Sequence, residues 1–232
     1  MPVRERIPRT YRRLEHDFKI TGVNPNVVIL AAGDFPHAEA PLRALREADV
    51  RICCDSAAEA LVASGLVPDH IVGDMDSLSS AFRERYAGII TRISEQDDND
   101  LTKAFRLART LSPARITIVG ATGRREDHTL GNVSLLLDYA RAAACPVEML
   151  TDYGRFTAIF DTATLPAVPG QQISIFAFDN TLKIASAGLK YPTDAVVFDT
   201  LWKATLNEAL SGTFTLTLSH PCGVLLFFAD HL

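Results

Sequence analysis

No stretch of the chain approaches the roughly 20 consecutive apolar residues that a membrane helix requires. The N-terminus also has no apolar core followed by a small-residue cleavage site. Neither a membrane span nor a secretory leader is expected, and the sequence reads as that of a cytoplasmic protein. Paired cysteines are missing as well. Cys53, Cys54, Cys145 and Cys222 show no metal-ligand spacing, and adjacent Cys53 and Cys54 lie in an apolar, strand-like run that would send them to opposite faces. All four read as reduced thiols. Positive charge is scarce: the formal net charge is -5, whereas nucleic acid or an anionic membrane surface usually demands a basic field. No GxxxxGK[ST], GxGxxG, GxSxG or HExxH pattern occurs, which removes the standard P-loop kinase, dinucleotide-binding, α/β-hydrolase and zincin readings.

What remains is an ordinary globular composition, 47% hydrophobic and 22% charged over 232 residues, enough for one large domain or two modest ones. Residues 1–25 form an N-terminal extension whose Arg4, Arg6, Arg9, Arg12, Arg13 and Lys19 are interleaved with Glu5, Glu15 and Asp17. Such mixing suits a solvated segment packed on its own fold or on a partner subunit better than a nucleic-acid arm.

From residue 26 to 154, short β-branched runs alternate with amphipathic stretches, the pattern of an open, mainly parallel α/β sheet domain. Strands are expected at Val27–Ala31, Val50–Cys54, His70–Gly73, Ile89–Ile93, Arg115–Val119 and Val147–Leu150. Helices are expected at Ala38–Ala48, Ser56–Ser64, Ser79–Tyr86, Asp100–Leu111 and His128–Ala144. From residue 155 to 232 the helical period fades, and runs at Phe156–Phe160, Gln172–Phe178, Thr181–Ala185, Thr213–Leu218 and Val224–Phe228, punctuated by proline and glycine, indicate a C-terminal all-β sandwich domain.

Ligands of open parallel sheets bind beyond the carboxyl ends of the strands. There this sequence is strongly acidic: Asp55 follows the second strand, Gly73-Asp74-Met75-Asp76-Ser77 the third, and Asp97-Asp98-Asn99-Asp100 the fourth. Any one aspartate is as readily a helix cap or turn residue. Capping needs one carboxylate per helix start, however, and these segments supply a surplus. Carboxylates crowded at one sheet edge would repel one another by several kcal/mol, on the order expected in a partly buried cleft, so a cation is expected among them. An oxygen-only ligand set without a histidine or cysteine cluster suits Mg²⁺.

After the fifth strand, Gly120 to Arg125 forms a loop with two glycines and two arginines, entering a helix near Asp127. Backbone N–H groups at a helix start and the guanidinium of Arg124 or Arg125 suit phosphate oxygens. Lys103 is placed one turn into its helix to add a contact, and His128 and Asn132 share a helix face.

These segments together resemble the thiamine pyrophosphokinase family from Val27 to the C-terminus. The likeness rests on Val67-Pro-Asp-His-Ile-Val-Gly-Asp-Met-Asp-Ser77, on Gln96 to Lys103, on Gly120-Ala-Thr-Gly-Arg-Arg-Glu-Asp-His128 with Asn132, and on the turn Gly188-Leu-Lys-Tyr-Pro192, in that order. It implies a Mg²⁺-dependent diphosphate transfer from ATP to thiamine by a homodimer with active sites at the subunit interface. By the same likeness Asp74, Asp76 and Asp100 hold magnesium and, with Asp127, form the catalytic set. Asp55, Ser77, Lys103, Gly123, Arg124, Arg125, His128 and Asn132 line the nucleotide, and Asn207 faces thiamine. The sequence departs from the family pattern at Ser56-Ala57, at Arg124 in place of a glycine, and at Leu206 before Asn207. A metal-dependent phosphohydrolase and a non-catalytic nucleotide or thiamine sensor stay open as alternatives.

Overall fold

The computed structural model describes residues 24–95 and 97–230. Nearly all of the expected N-terminal extension, and Gln96 in the acidic segment, lie outside the described residues.

Six strands form the parallel part of the structure: β1 (Asn26–Leu30), β2 (Val50–Cys54), β3 (His70–Gly73), β4 (Ile90–Arg92), β5 (Arg115–Val119) and β6 (Val147–Thr151). Between them run α1 (Glu39–Glu47), α2 (Ala57–Ala63), α3 (Ser80–Arg85), α4 (Asp100–Thr110) and α5 (Glu126–Ala142). The β1 run Val27-Val28-Ile29-Leu30 is buried throughout because both sheet faces are covered. Val27 and Ile29 enter a core with α4 and α5, while Val28 and Leu30 enter the opposite one with Leu45, Leu61 and Met75. Cys54 and Cys53 divide between the same two cores, as period-two geometry demands.

Helix α4 is stopped at its start by Asn99, whose side-chain oxygen accepts from the Thr102 N–H at 2.9 Å. It buries Leu101, Ala104, Phe105, Leu107 and Ala108, and stacks Phe105 on Tyr139 of α5 with ring centroids 4.2 Å apart. The helix thus ties the acidic segment at its N-terminus to the sheet's main core.

The later strands are β7 (Gly154–Ile159), β8 (Ala163–Pro166), β9 (Gln172–Ala177), β10 (Ile184–Ala187), β11 (Asn207–Glu208), β12 (Thr213–Leu218) and β13 (Val224–Ala229). Their pairing continues the first sheet. β7 pairs antiparallel with β6, so a single ten-stranded sheet runs β11-β9-β13-β7-β6-β5-β1-β2-β3-β4, and β10-β12-β8 packs over its C-terminal half. Phe214 and Leu216 of β12 meet Leu226 and Phe228 of β13 in the sandwich core, whereas Leu225 on the other face of β13 joins the core under α5. The expected strand at Thr181–Ala185 lies slightly later, at β10, because Asp179 accepts from Thr181 and holds that residue in a turn. Strands β8 and β11 carry no run long enough to stand out: β8 is exposed at alternate residues and β11 has two residues. Helix α5 starts two residues earlier than periodicity indicates, with Glu126 and Asp127 in its first turn.

The hairpin joining the two halves leaves no room at Gly154. It has φ 148°, and an added Cβ would sit 2.1 Å from the Phe228 carbonyl oxygen and 2.9 Å from the Ala229 Cα. Gly154→Ala is expected to destabilise the chain by about 2 kcal/mol or more through backbone strain and displacement of β13. Urea unfolding would read this as a lower midpoint at unchanged slope.

Candidate active site

The strand order reverses between β1 and β5, and a crevice opens at such a reversal at the carboxyl ends of the strands. Residues with positive φ concentrate in the loops at that edge: Asp55 (43°) after β2, Met75 (70°) after β3 and Arg124 (57°) after β5. Non-glycine residues in the left-handed region cost on the order of 1–3 kcal/mol each, and such strain gathers at functional sites.

Gly73 is the centre of the acidic group. With φ 155° at the end of β3, the space its missing Cβ would take lies 3.1 Å from the Asp55 Cβ and 3.2 Å from the Asp100 Oδ2. Asp55 and Asp100 therefore flank Gly73, brought together from the end of β2 and the start of α4. Asp74 follows directly. Its Oδ1 accepts from the Asp76 N–H at 3.0 Å, closing a tight turn whose middle residue, Met75, plugs the core beneath.

Asp55 is 6% exposed, and its Oδ1 is buried without a hydrogen-bond partner. Burial raises its pKa above the ordinary carboxylate value; a hydrogen bond from the Ser77 hydroxyl opposes this, and the charges of Asp100 and Asp74 add to the rise. On the far side of Asp100 stands Lys103, only 3% exposed, with Nζ 3.2 Å from the Asp100 Oδ1 and 3.2 Å from the Ile93 carbonyl oxygen. Lys103 thus supports Asp100 from within the fold. Asp76 differs: its side chain is 77% exposed and approaches Arg92 at 3.9 Å. The structure brings Asp55, Asp74 and Asp100 together with Lys103 and Ser77 beside them, while Asp76 borders the group from the solvent side.

The glycine-arginine loop follows β5 and is locked to the residues after β1. The Gly33 N–H donates to the Gly120 carbonyl at 2.7 Å and the Asp34 N–H to the Thr122 carbonyl at 2.9 Å. Arg124 Nη1 donates to the Ala32 carbonyl at 3.0 Å, with its Nε 3.8 Å from the Asp34 carboxylate. Gly123 is required there, since a Cβ would fall 2.1 Å from Asp34 Oδ2. Gly33 and Asp34 are absent from the sequence-derived set, although they follow a strand just as the other site residues do. Asn132 joins the two loops: its Nδ2 donates to the Ala121 carbonyl at 2.9 Å and its Oδ1 accepts from Asn99 Nδ2 at 3.3 Å.

Arg125 and Asp127 pair with each other at the open start of α5. That contact holds the Asp127 carboxyl down at about 2. The His128 N–H donates to Asp127 at 2.9 Å, and its ring is exposed. These residues lie at the carboxyl end of β5, on the other side of β1 from the loops that carry Asp55 and Asp74. Asn207 is remote from both groups. It is 4% exposed on β11, and its side-chain amide is taken by the Tyr191 backbone, accepting from the N–H at 3.1 Å and donating to the carbonyl at 2.7 Å. Six strands separate β11 from β2 within the sheet.

The carboxylate group and loop fall inside a stretch, residues 42–149, that matches the family description "Thiamin pyrophosphokinase, catalytic domain"; residues 154–227 match "Thiamin pyrophosphokinase, substrate-binding domain". The chain belongs to the thiamin pyrophosphokinase family. A curated thiamine pyrophosphokinase of Bacillus subtilis is 35% identical over 86 residues, spanning 35% of this chain and 40% of that protein. Thiamine pyrophosphokinase 1 of Oryza sativa is 34% identical over 83 residues, 32% of this chain and 31% of that protein. The aligned stretches thus span less than half of these relatives.

Among solved structures, the Bacillus subtilis thiamine pyrophosphokinase superposes with a TM-score of 0.73 at 20% identity, covering 89% of this chain and all of that one. The yeast thiamin pyrophosphokinase gives 0.69 at 16% identity, covering 94% and 89%. At these identities the likeness establishes a shared fold.

Because the folded chain holds the Asp55 proton more tightly than an unfolded one would, the stability Asp55 contributes is present at low pH and is lost as pH rises through its raised folded-state value. Asp55→Asn removes that burden. In metal-free buffer the variant is expected to melt above the wild type at neutral pH, by roughly 2–4 °C for each kcal/mol relieved. The difference should shrink as pH falls. Thermal scans at stepped pH in the presence of a chelator measure it.

Proposed function

We propose that the chain is a thiamine diphosphokinase, transferring the terminal diphosphate of ATP to the hydroxyl of thiamine and releasing AMP. The observation that carries this reading is the buried, unpartnered Oδ1 of Asp55, set beside Asp74 and Asp100 around Gly73.

An all-oxygen donor set containing an orphaned buried carboxylate oxygen fits a hard divalent cation, and Mg²⁺ characteristically pairs one or two carboxylates with the phosphates of a bound nucleotide. Asp74, Asp100 and Asp55 would hold it, with Asp76 at the rim. When bound, it supplies positive charge that neutralises the phosphate oxygens as negative charge redistributes during transfer.

The chain's own residues supply the rest. Lys103 fixes Asp100, Ser77 fixes Asp55, and the Gly120–Arg125 loop with Arg124, Arg125 and His128 offers N–H donors and cations for the nucleotide. In the reaction the thiamine hydroxyl oxygen bonds to the β-phosphorus, the bond from that phosphorus to the bridging oxygen breaks with its electron pair staying on that oxygen as AMP leaves, and the hydroxyl proton passes to solvent. Positioning and charge neutralisation account for most of the acceleration in transfers of this kind.

The acceptor's place is inferred at the β11 edge. Six strands separate that edge from β2 in the same chain, so a second copy of the chain is needed to bring the two regions together. The exposed Trp202, Leu206, Leu210 and Tyr191 near β11 support a homodimer built on this face. Among the described residues no helix is long and apolar enough to cross a membrane, which accords with a cytoplasmic enzyme.

Incubation with ATP, Mg²⁺ and thiamine should yield thiamine diphosphate and AMP in equal amounts. Asp74→Asn and Asp76→Asn should each lower turnover by at least ~100-fold, the scale of removing a well-placed electrostatic stabiliser. Hydrolysis of ATP without transfer would point to the phosphohydrolase alternative, and binding of ATP or thiamine without turnover would point to a sensor.

A further inference from the structure

At the end of the sandwich away from the carboxylate group, two loops meet: residues 178–183, leaving β9, and residues 219–223, leaving β12. Asp179, His220 and Cys222 stand together there, with one ligand-capable atom from each lying within 4.8 Å of the others. We propose that this trio is a binding site for Zn²⁺ or a similar borderline cation, with a carboxylate oxygen, an imidazole nitrogen and a thiolate as the three protein ligands.

The donor types differ from the acidic set at Gly73. Nitrogen and sulfur together select a borderline ion such as Zn²⁺ over Mg²⁺. Ligand atoms around a tetrahedral Zn²⁺ stand about 3–4 Å apart, so the observed spacing needs only a slight closure.

Each ligand is already oriented by a second contact. Asp179 Oδ1 accepts from the Thr181 N–H at 2.8 Å and from its hydroxyl at 2.6 Å, which leaves Oδ2 directed at His220. His220 Nδ1 lies 3.1 Å from the Ser219 Oγ, and Nε2 lies 3.1 Å from Asp179 Oδ2. A hydrogen bond on the remote nitrogen is how metal-ligating histidines are held in the required tautomer. Cys222 is set in place by its N–H donating to the Phe160 carbonyl at 3.1 Å.

The loops themselves are laced: the Ser219 N–H donates to the Lys183 carbonyl at 3.0 Å, and the Lys183 N–H returns a bond to Ser219 Oγ at 3.1 Å. An ion would replace the proton shared between Nε2 and Oδ2. It would also reverse the effect of burial and of nearby Asp179, which together raise the Cys222 thiol. Arg141, near Cys222, favours the thiolate as well. Entry is open, since none of the three residues is fully buried and Asp179 forms part of the wall of a surface cavity of about 510 Å³ with Phe178, Phe198 and Leu201.

The proposal is independent of the transferase reading. Its test is Co²⁺ titration of the reduced full chain in excess Mg²⁺, which occupies oxygen-only sites, followed by thiolate-to-cobalt absorption in the near ultraviolet. The wild type should develop the band at about one equivalent per chain and lose it on addition of Zn²⁺. Cys222→Ala should abolish the band, Cys145→Ala should keep it, and His220→Gln should weaken Co²⁺ binding at least about tenfold. Absence of the band in the wild type, or a band unchanged in Cys222→Ala, would overturn the proposal and leave an ordinary Asp179–His220 surface pair.

Discussion

Mutual repulsion among Asp55, Asp74 and Asp100 is the constraint to which the carboxyl-end region of this sheet is fitted. Three acidic side chains, from the ends of β2 and β3 and the start of α4, gather around one glycine, and within the fold a buried lysine faces one of them. Placing like charges at a low-dielectric edge costs free energy that packing elsewhere must offset. The surroundings show the compensation. Helix α4 is anchored by its Phe105–Tyr139 stack and by its Asn99 cap, so Asp100 cannot retreat from the group. Met75, in a left-handed conformation, buries its side chain and thereby fixes the turn that carries Asp74 and Asp76. Strain and desolvation at this edge are thus built into the fold itself, and the proposed cation would enter a site already formed.

The continuous ten-stranded sheet extends that pre-formation into the C-terminal half. Helix α5 covers β6, β7 and β13, and Leu225 shares a core with Leu136. The acidic edge and the sandwich consequently share one sheet within a chain, although β11 and β2 lie on opposite flanks of it. Asn207 illustrates the consequence: its amide ties the Tyr191 turn to β11, so within the chain it shapes the edge around the exposed Trp202 and Leu206.

Much of this was readable in the residues. Strands β3, β5 and β12 coincide with their β-branched runs because period and punctuation agree there, and the carboxyl-end rule located Asp55, Asp74 and Asp100 with no knowledge of contacts. What stayed hidden depends on pairing at a distance. Nothing in the run from Gly154 to Ile159 reveals that β7 adds to β6 instead of starting a new sheet, because the partner is fixed by the glycine hairpin and by β13 more than 60 residues later. The clamp of Gly33 and Asp34 on the Gly120–Arg125 loop is likewise a product of β1 and β5 being neighbours. The position of Lys103 one turn into its helix marked it as a candidate phosphate contact, but not its burial, which follows from helix α4 turning that face to Ile93, beside Asp100. The Asp179, His220 and Cys222 cluster spans 44 positions of sequence and becomes visible only when the ends of β9 and β12 meet.

The central claim is that the carboxylates around Gly73 share one divalent cation that also bridges to nucleotide phosphates. Its most direct test is anomalous diffraction from crystals grown with Mn²⁺ and a non-hydrolysable ATP analogue. The account predicts a single strong peak within about 2.5 Å of carboxylate oxygens from Asp74 and at least one of Asp55 and Asp100, and within similar reach of phosphate oxygens. Bound nucleotide with its metal coordinated away from these aspartates, or with no metal at all, would contradict it.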